Sequence, residues 1–255
     1  MPIIVKNPHS VLATLAQRPR DIISIQVPRS SGKNTSGDAW GEVIRLARAQ
    51  KVPVHEAAPR KERPGNFQQN FKDESGGGGR EGTIEATIRE KQGISAEELF
   101  SGARERKDGK GLWLALDCLT DPHNVGAIFR AAAFFGVQGI LLTQERSAPL
   151  TSVVYDVSCG GVEHVPFTLQ TNLQRGFEIA KDAGLWILGS SEHSKDSIKK
   201  IEKDRPWLLV LGNEEKGMRR LTEESCDVLC SIPCQGKVTS LNVSVAAGIM
   251  ISQLS

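Results

Sequence analysis

Apolar and polar positions follow two regimes along the chain. From Gly111 onward, short and almost unbroken apolar runs recur at Leu112–Leu116, Gly139–Thr143, Trp186–Gly189, Leu208–Leu211 and Val228–Ile232. Segments of helical period lie between or after them, at Val125–Phe135, Leu173–Ala183, Arg219–Glu224 and Leu241–Gln253. Runs this short, separated by helices, predict strands buried on both faces of a parallel sheet. Before Gly111 the pattern is looser. Pro8–Gln17 predicts a helix, with Val11, Leu12 and Leu15 on one face and a proline in its first turn. Ile22–Val27 predicts a strand, Asp38 a cap for a helix carrying Val43, Ile44, Leu46 and Ala47, and Val52–His55 a second short strand.

The fold class read from this pattern is α/β: a small α/β module, then a larger parallel-sheet domain. Residues 58–82 break the pattern with prolines, glutamines and a run of glycines, and read as a Gly-rich flexible insertion. The expected organisation is therefore a small domain at 1–93, a linker at 94–110 and the larger domain at 111–255. Gly77, Gly79 and Gly82 satisfy a G-x-G-x-x-G spacing, but polar residues precede them where a dinucleotide loop needs a buried strand. They are read as part of the insertion.

Composition changes the picture in two ways. The 255 residues are 39% hydrophobic, enough for a core, and the net charge of +2 says little about partners. Its distribution says more: residues 1–110 hold 19 basic and 14 acidic side chains (+5), and residues 111–255 hold 13 and 16 (−3). A basic module joined to a mildly acidic one fits a protein that grips a polyanion with one part only.

No apolar run approaches the ~18–20 residues that span a bilayer, so no membrane association is expected. The amino terminus lacks the charged-then-apolar pattern of a secretory signal. Five cysteines without paired spacing argue against a disulfide framework and for a reducing, cytoplasmic setting. Cys226, Cys230 and Cys234 recur every fourth residue, but Pro233 precludes one continuous helix and no fourth zinc ligand accompanies them, so they read as buried thiols and no metal is expected.

Ligands of parallel sheets bind beyond the carboxyl ends of the strands. The loops after Leu116, Leu211 and Ile232 are therefore the places to look. In the first, Asn124 is a candidate helix cap, and Arg130 follows between Phe129 and Ala131–Ala133. A guanidinium among such neighbours either meets an anion or snorkels to the surface, and composition leaves both open. In the second, Gly212 and Gly217 flank Glu214, as suits a loop passing close to a ligand or a plain strand-to-helix turn. In the third, Ser240 is a candidate cap of a small apolar helix, with Asn242 on its first turn.

Taken together, these loops resemble the three motifs of the SpoU (TrmH-type) branch of the SPOUT RNA methyltransferases. Asn124 with Arg130, the Gly-Asn-Glu loop at 212–214 and Ser-Leu-Asn-Val-Ser-Val-Ala-Ala-Gly at 240–248 occur in the family's order. Intervening stretches, including Ser158–Pro166 and Thr171–Leu173, resemble it too, over essentially all of 111–255. The amino-terminal module is similar to the RNA-binding domain of the rRNA-modifying members, and Lys91–Ile94 to the segment leading into their catalytic domain. Asn7-Pro8 stands where a glycine is usual, and the Gly-rich insertion is additional.

The resemblance implies methyl transfer from S-adenosylmethionine to a ribose 2′-hydroxyl, of a guanosine in large-subunit rRNA. It implies a C-terminal deep trefoil knot, an exception to the unknotted rule, and a homodimer in which the partner chain completes the site. Arg130 matches the catalytic arginine, as general base or as stabiliser of the developing oxyanion. Asn124, Glu214, Ser240 and Asn242 match the other polar site positions. Leu211, Gly212, Met218, Ile232 and Leu241 match the positions around the cofactor. Alternatives within the resemblance are a tRNA substrate or an antibiotic-resistance site in rRNA; outside it, a non-catalytic RNA-binding or ribosome-assembly factor.

Overall fold

The computed structural model describes residues 1–28, 39–56, 84–103, 110–145 and 147–255. The Gly-rich insertion, its G-x-G-x-x-G spacing and the Asp38 cap lie outside the described residues. The chain divides into two compact units, Met1–Arg89 and Glu90–Ser255.

In the first unit, β1 (Pro2–Val5), α1 (Pro8–Gln17), β2 (Ile22–Val27), α2 (Ala39–Ala49), β3 (Val54–Glu56) and β4 (Glu85–Arg89) form a four-stranded sheet with two helices, in the order β1-β4-β2-β3. β4 runs antiparallel to both β1 and β2, and β2 and β3 pair in parallel. Val11 and Leu15 of α1, Val43 and Ala47 of α2, and Val5, Ile25, Ala86 and Ile88 of the strands are buried. Asn7 accounts for its own presence at the start of α1. Its side chain accepts hydrogen bonds from the backbone N–H of His9 (2.9 Å) and Ser10 (3.4 Å), donors that no helical carbonyl can satisfy.

The second unit begins earlier than its apolar runs suggest. Residues 94–103, expected as linker, are part of its core: Ala96, Leu99 and Phe100 of α3 (Ala96–Phe100), and Ala103, are buried against Trp113, Leu141 and Phe177. The entering segment is pinned as well. The Lys91 ammonium donates to the carbonyls of Val162, Glu163 and Val165 at 2.8–3.2 Å, and Ile94 N–H donates to Phe167 O at 2.8 Å. A segment carrying that many buried contacts cannot act as a tether, which is why the unit boundary falls at Arg89 and not at residue 93.

The rest of the unit alternates as expected, through β5 (Gly111–Leu116), α4 (Pro122–Phe135), β6 (Gly139–Thr143), α5 (Ser152–Ser158), α6 (Gly161–His164), β7 (Phe167–Gln170), α7 (Leu173–Asp182), β8 (Trp186–Ser190), β9 (Pro206–Leu211), α8 (Arg220–Glu224), β10 (Val228–Cys230) and α9 (Val243–Leu254). The six strands pair in parallel throughout, in the order β10-β8-β9-β5-β6-β7. The order reverses around β5, which has β9 on one side and β6 on the other. Such a switch point opens a crevice at the carboxyl ends of the strands. Two helices grip α4 on glycine contacts. A Cβ on Gly126 would lie 2.9 Å from Val154 O of α5, and one on Gly161 of α6 would lie 2.6 Å from Phe129 O. Among the described residues no helix is long and apolar enough to cross a membrane.

Candidate active site

β5 and β9 end together, with Leu116 paired to Leu211, so the loops that follow them start side by side. The cap of α4 is Asp121, not Asn124: the Asp121 carboxylate accepts from His123 N–H at 2.9 Å, and Pro122 takes the first helical position. That leaves the Asn124 side chain free for tertiary contacts, and it is buried, with 6% of its surface exposed. Its Nδ2 donates to Glu214 Oε1 at 3.1 Å, and its Oδ1 accepts from Asn242 Nδ2 at 3.0 Å. One amide thus joins all three loops. An amide suits this place, because it donates to a carboxylate and accepts from a second amide through one planar group.

Glu214 is tied on its other oxygen. Asn213 Nδ2 donates to Glu214 Oε2 at 3.1 Å and to Cys118 O at 2.8 Å. Asn213 and Gly217 exchange backbone hydrogen bonds at 2.9 and 3.0 Å, closing the loop on itself. Gly212 permits the closure: a Cβ there would lie 2.2 Å from Met218 N, so no side chain fits. Leu211 is buried at the end of β9, and Met218 packs against the core cluster beneath. Asn242, not Ser240, caps α9, its Oδ1 accepting from Ser244 N–H at 2.9 Å.

Glu214 and Asn242 are themselves exposed, and other expected site residues lie in the open without such bonds. Arg130 is exposed, and within the described residues its guanidinium makes no hydrogen bond or ion pair. The helical period explains this. Val125, Ile128, Phe129 and Ala132 turn inward on α4, leaving Arg130 and Phe134 on the outer face. The neighbouring apolar residues therefore do not enclose the charge. Ser240 is exposed and its hydroxyl has no hydrogen bond within the described residues; Ile232 is half-buried and Leu241 is 52% exposed. The structure joins Asn124, Glu214 and Asn242 directly and gathers Leu211, Gly212 and Met218 at the end of β9. It does not bond Arg130 or Ser240 to them.

Sequence reasoning missed a second polar cluster beneath the loops. Asp117 has no exposed surface. Its carboxylate accepts from Arg219 Nε at 2.7 Å and from Arg219 N–H at 3.0 Å, and its own N–H donates to Leu211 O at 2.8 Å. A charged residue placed flush after the run Leu112–Leu116 was the available signal; its partner lies 102 positions away. Next to it, Cys118 holds a left-handed backbone (φ 58°) that side chains rarely adopt. Burial pushes its thiol pKa up, and the Asp117 charge adds to the effect. Of the trio read as buried thiols, Cys230 is buried, Cys226 half-buried and Cys234 exposed.

Residues 111–252 match the model of the SpoU rRNA Methylase family. A 23S rRNA (guanosine-2′-O-)-methyltransferase RlmB of Pseudomonas putida is 35% identical over 243 residues, 95% of this chain and 92% of that protein. The RlmB of Pseudomonas aeruginosa is 41% identical over a shorter stretch, 63% of this chain and 65% of that protein. A putative TrmH family tRNA/rRNA methyltransferase, YacO of Bacillus subtilis, is 35% identical over 87% of this chain and 84% of its own length. In fold, the chain is similar to the SpoU methyltransferase AviRb of Streptomyces viridochromogenes, solved in complex with AdoMet (TM-score 0.73, 19% identity, 99% of this chain and 89% of that one). With its three loops joined at Asn124 and the family model spanning 111–252, the chain belongs to the SpoU rRNA methylase family.

Proposed function

We propose that this protein transfers a methyl group from S-adenosylmethionine to a ribose 2′-hydroxyl of RNA, at a guanosine of 23S rRNA. The observation that carries the reading is the Asn242–Asn124–Glu214 chain of hydrogen bonds, which draws the three family motifs into one polar junction at the carboxyl ends of β5 and β9. The rRNA substrate is favoured by the relative from Pseudomonas putida, whose similarity extends through the amino-terminal unit.

The residues suit a cofactor recognised by main chain. The loop from Leu211 to Met218 is folded so tightly at Gly212 that backbone, not side chain, forms its surface there. Leu211, Gly212, Met218, Ile232 and Leu241 are the positions that would hold S-adenosylmethionine, which supplies an already activated methyl group as a sulfonium. Glu214 holds the Asn124 and Asn213 amides in place. Asn242 and Ser240 orient the hydroxyl, the arginine or an adjacent phosphate. Arg130 stabilises the negative charge that develops on the 2′-oxygen as its proton passes to solvent water. Holding both reactants in line supplies much of the rate, roughly 7–11 kcal/mol in well-oriented systems.

The protein acts as a homodimer in this reading. Val245 and Ile249 present an apolar face one turn apart on α9, with Leu241 just ahead of it, all at least 37% exposed. A partner seated there would cover that face and bring polar groups to Arg130 and Ser240. The C-terminal part is knotted, as the family resemblance implies, and the amino-terminal unit grips RNA phosphates through its excess basic charge. Free thiols at all five cysteines fit a cytoplasmic enzyme.

The test incubates the protein with labelled S-adenosylmethionine and unmodified 23S rRNA or tRNA and maps the 2′-O-methyl groups. Label at one 23S guanosine is the expected result. Label confined to tRNA would replace the rRNA assignment, and no transfer to either together with no cofactor binding would overturn the enzymatic reading.

A further inference from the structure

We infer that Asp117 is a positioning residue for the loop that holds the cofactor. The inference rests on the proposed function for what the loop binds, but not for how the loop is held. Seven residues, Gly212–Met218, separate the end of β9 from Arg219, and sheet pairing stops at Leu116 with Leu211. Beyond that point the sheet does nothing to fix the loop. Asp117 does so at both ends. Its N–H donates to Leu211 O at the entrance (2.8 Å), and its carboxylate receives Arg219 N–H (3.0 Å) and Arg219 Nε (2.7 Å) at the exit. Inside this outer clasp lies the Asn213–Gly217 rung, and between the two is the contact Gly212 makes possible with Met218.

The choice of a charge at this position is informative. Asp117 is fully buried, whereas the Arg219 side chain keeps 44% of its surface exposed. A desolvated carboxylate gains little net stability from an ion pair, and apolar residues of similar size often serve stability as well or better. What an apolar pair cannot do is fix direction. Two donors from one residue, one of them backbone, set both the position and the orientation of the peptide at 219. The same loop carries Asn213, which holds the Cys118 carbonyl, and Glu214, which holds Asn124. A loosened exit would therefore displace the cofactor wall and the polar junction together.

The experiment uses the full chain and three variants: Asp117→Asn, Arg219→Gln, and the two combined. In the first, an amide N–H faces the arginine. In the combination, the amide at 117 can accept from the backbone N–H of residue 219 and donate to the new side chain, restoring a neutral clasp. S-adenosylmethionine binding is measured by calorimetry, KM and kcat by methyl transfer, and loop protection at 213–219 by hydrogen exchange without cofactor. Asp117→Asn is expected to weaken cofactor binding about tenfold, through KM more than kcat, and the double variant to recover most of the loss. Hydrogen-exchange protection should fall in the loop and hold in β5 and β9. If a single variant fails to fold, Arg219→Lys, which keeps the positive charge but removes the Nε donor, substitutes for it. Unchanged loop protection in the single variants would overturn the inference, as would cofactor binding within twofold of the parent, or a double variant no better than either single. If the parent itself binds no S-adenosylmethionine, the proposed function fails, while the exchange measurement still decides the clasp.

Discussion

Asn124 and Arg130 stand six residues apart on one helix and live under opposite conditions. Asn124 is buried and spends its amide on Glu214 and Asn242, whereas Arg130 faces solvent with no partner among the described residues. Buried polar groups must be bonded within the fold, and Asn124 meets that need through Glu214 and Asn242, which are themselves exposed. An exposed guanidinium stays hydrated, and its charge gains strength only when a partner chain or substrate excludes water around it. The fold of one chain thus fixes the Asn124 amide and leaves the Arg130 guanidinium in solvent.

The sharpest way to break this contrast is to remove each member. Arg130→Ala should lower methyl transfer by about 10²–10³-fold, in line with loss of one oxyanion donor, and leave the melting temperature almost unchanged. Asn124→Ala should destabilise the fold by about 0.5–1.5 kcal/mol, because two hydrogen bonds are lost while the exposed Glu214 and Asn242 turn to water, and should lower activity as well. Denaturant titration alongside the transfer assay checks both. A destabilisation by Arg130→Ala equal to that of Asn124→Ala would show the arginine to be a structural residue. Mixing the two inactive variants sharpens the comparison further. Activity regained on mixing is expected if the site is shared across the dimer, and none if each chain works alone.

The smallest effect concerns the thiols. Burial raises Cys226 and Cys230 to about 12, with nearby carboxylates adding to the effect. The unfolded chain loses these protons near pH 9 while the folded chain keeps them, so stability should fall as pH rises from about 9 towards 12. The double variant Cys226→Ala/Cys230→Ala should flatten that decline in thermal melts. In native labelling at pH 8, a thiol reagent should modify exposed Cys234 first and spare the other two.

Much of the sheet was legible because a parallel strand covered on both faces must be apolar at every position. Gly139–Thr143 and the start of β8 follow directly from that rule. β7 did not, because an edge strand with only Phe167 and Thr168 buried lacks the run. β1 and β4 of the first unit were also unread, being short, partly exposed and far apart in sequence. The caps shifted for local reasons: Pro122 draws the start of α4 back to Asp121, and Asn242 outcompetes Ser240 by turning its side chain onto Ser244. Within the site, the family pattern pointed to Asn124, Glu214 and Asn242, but not to Asp117 or Arg219. Their contact depends on β5 and β9 being neighbours, which no local window contains.

The glycine contacts on either side of α4 bear on how Arg130 moves. Gly126 is seated against α5 and Gly161 against the peptide of Phe129 and Arg130, so closely that a Cβ would fit at neither, and α4 is tightly packed there. Repositioning of the exposed guanidinium is left to four side-chain torsions on that helix. Such rotations take picoseconds to nanoseconds, whereas helix shifts take microseconds or longer. On this geometry the guanidinium can reorient far faster than the helix that carries it.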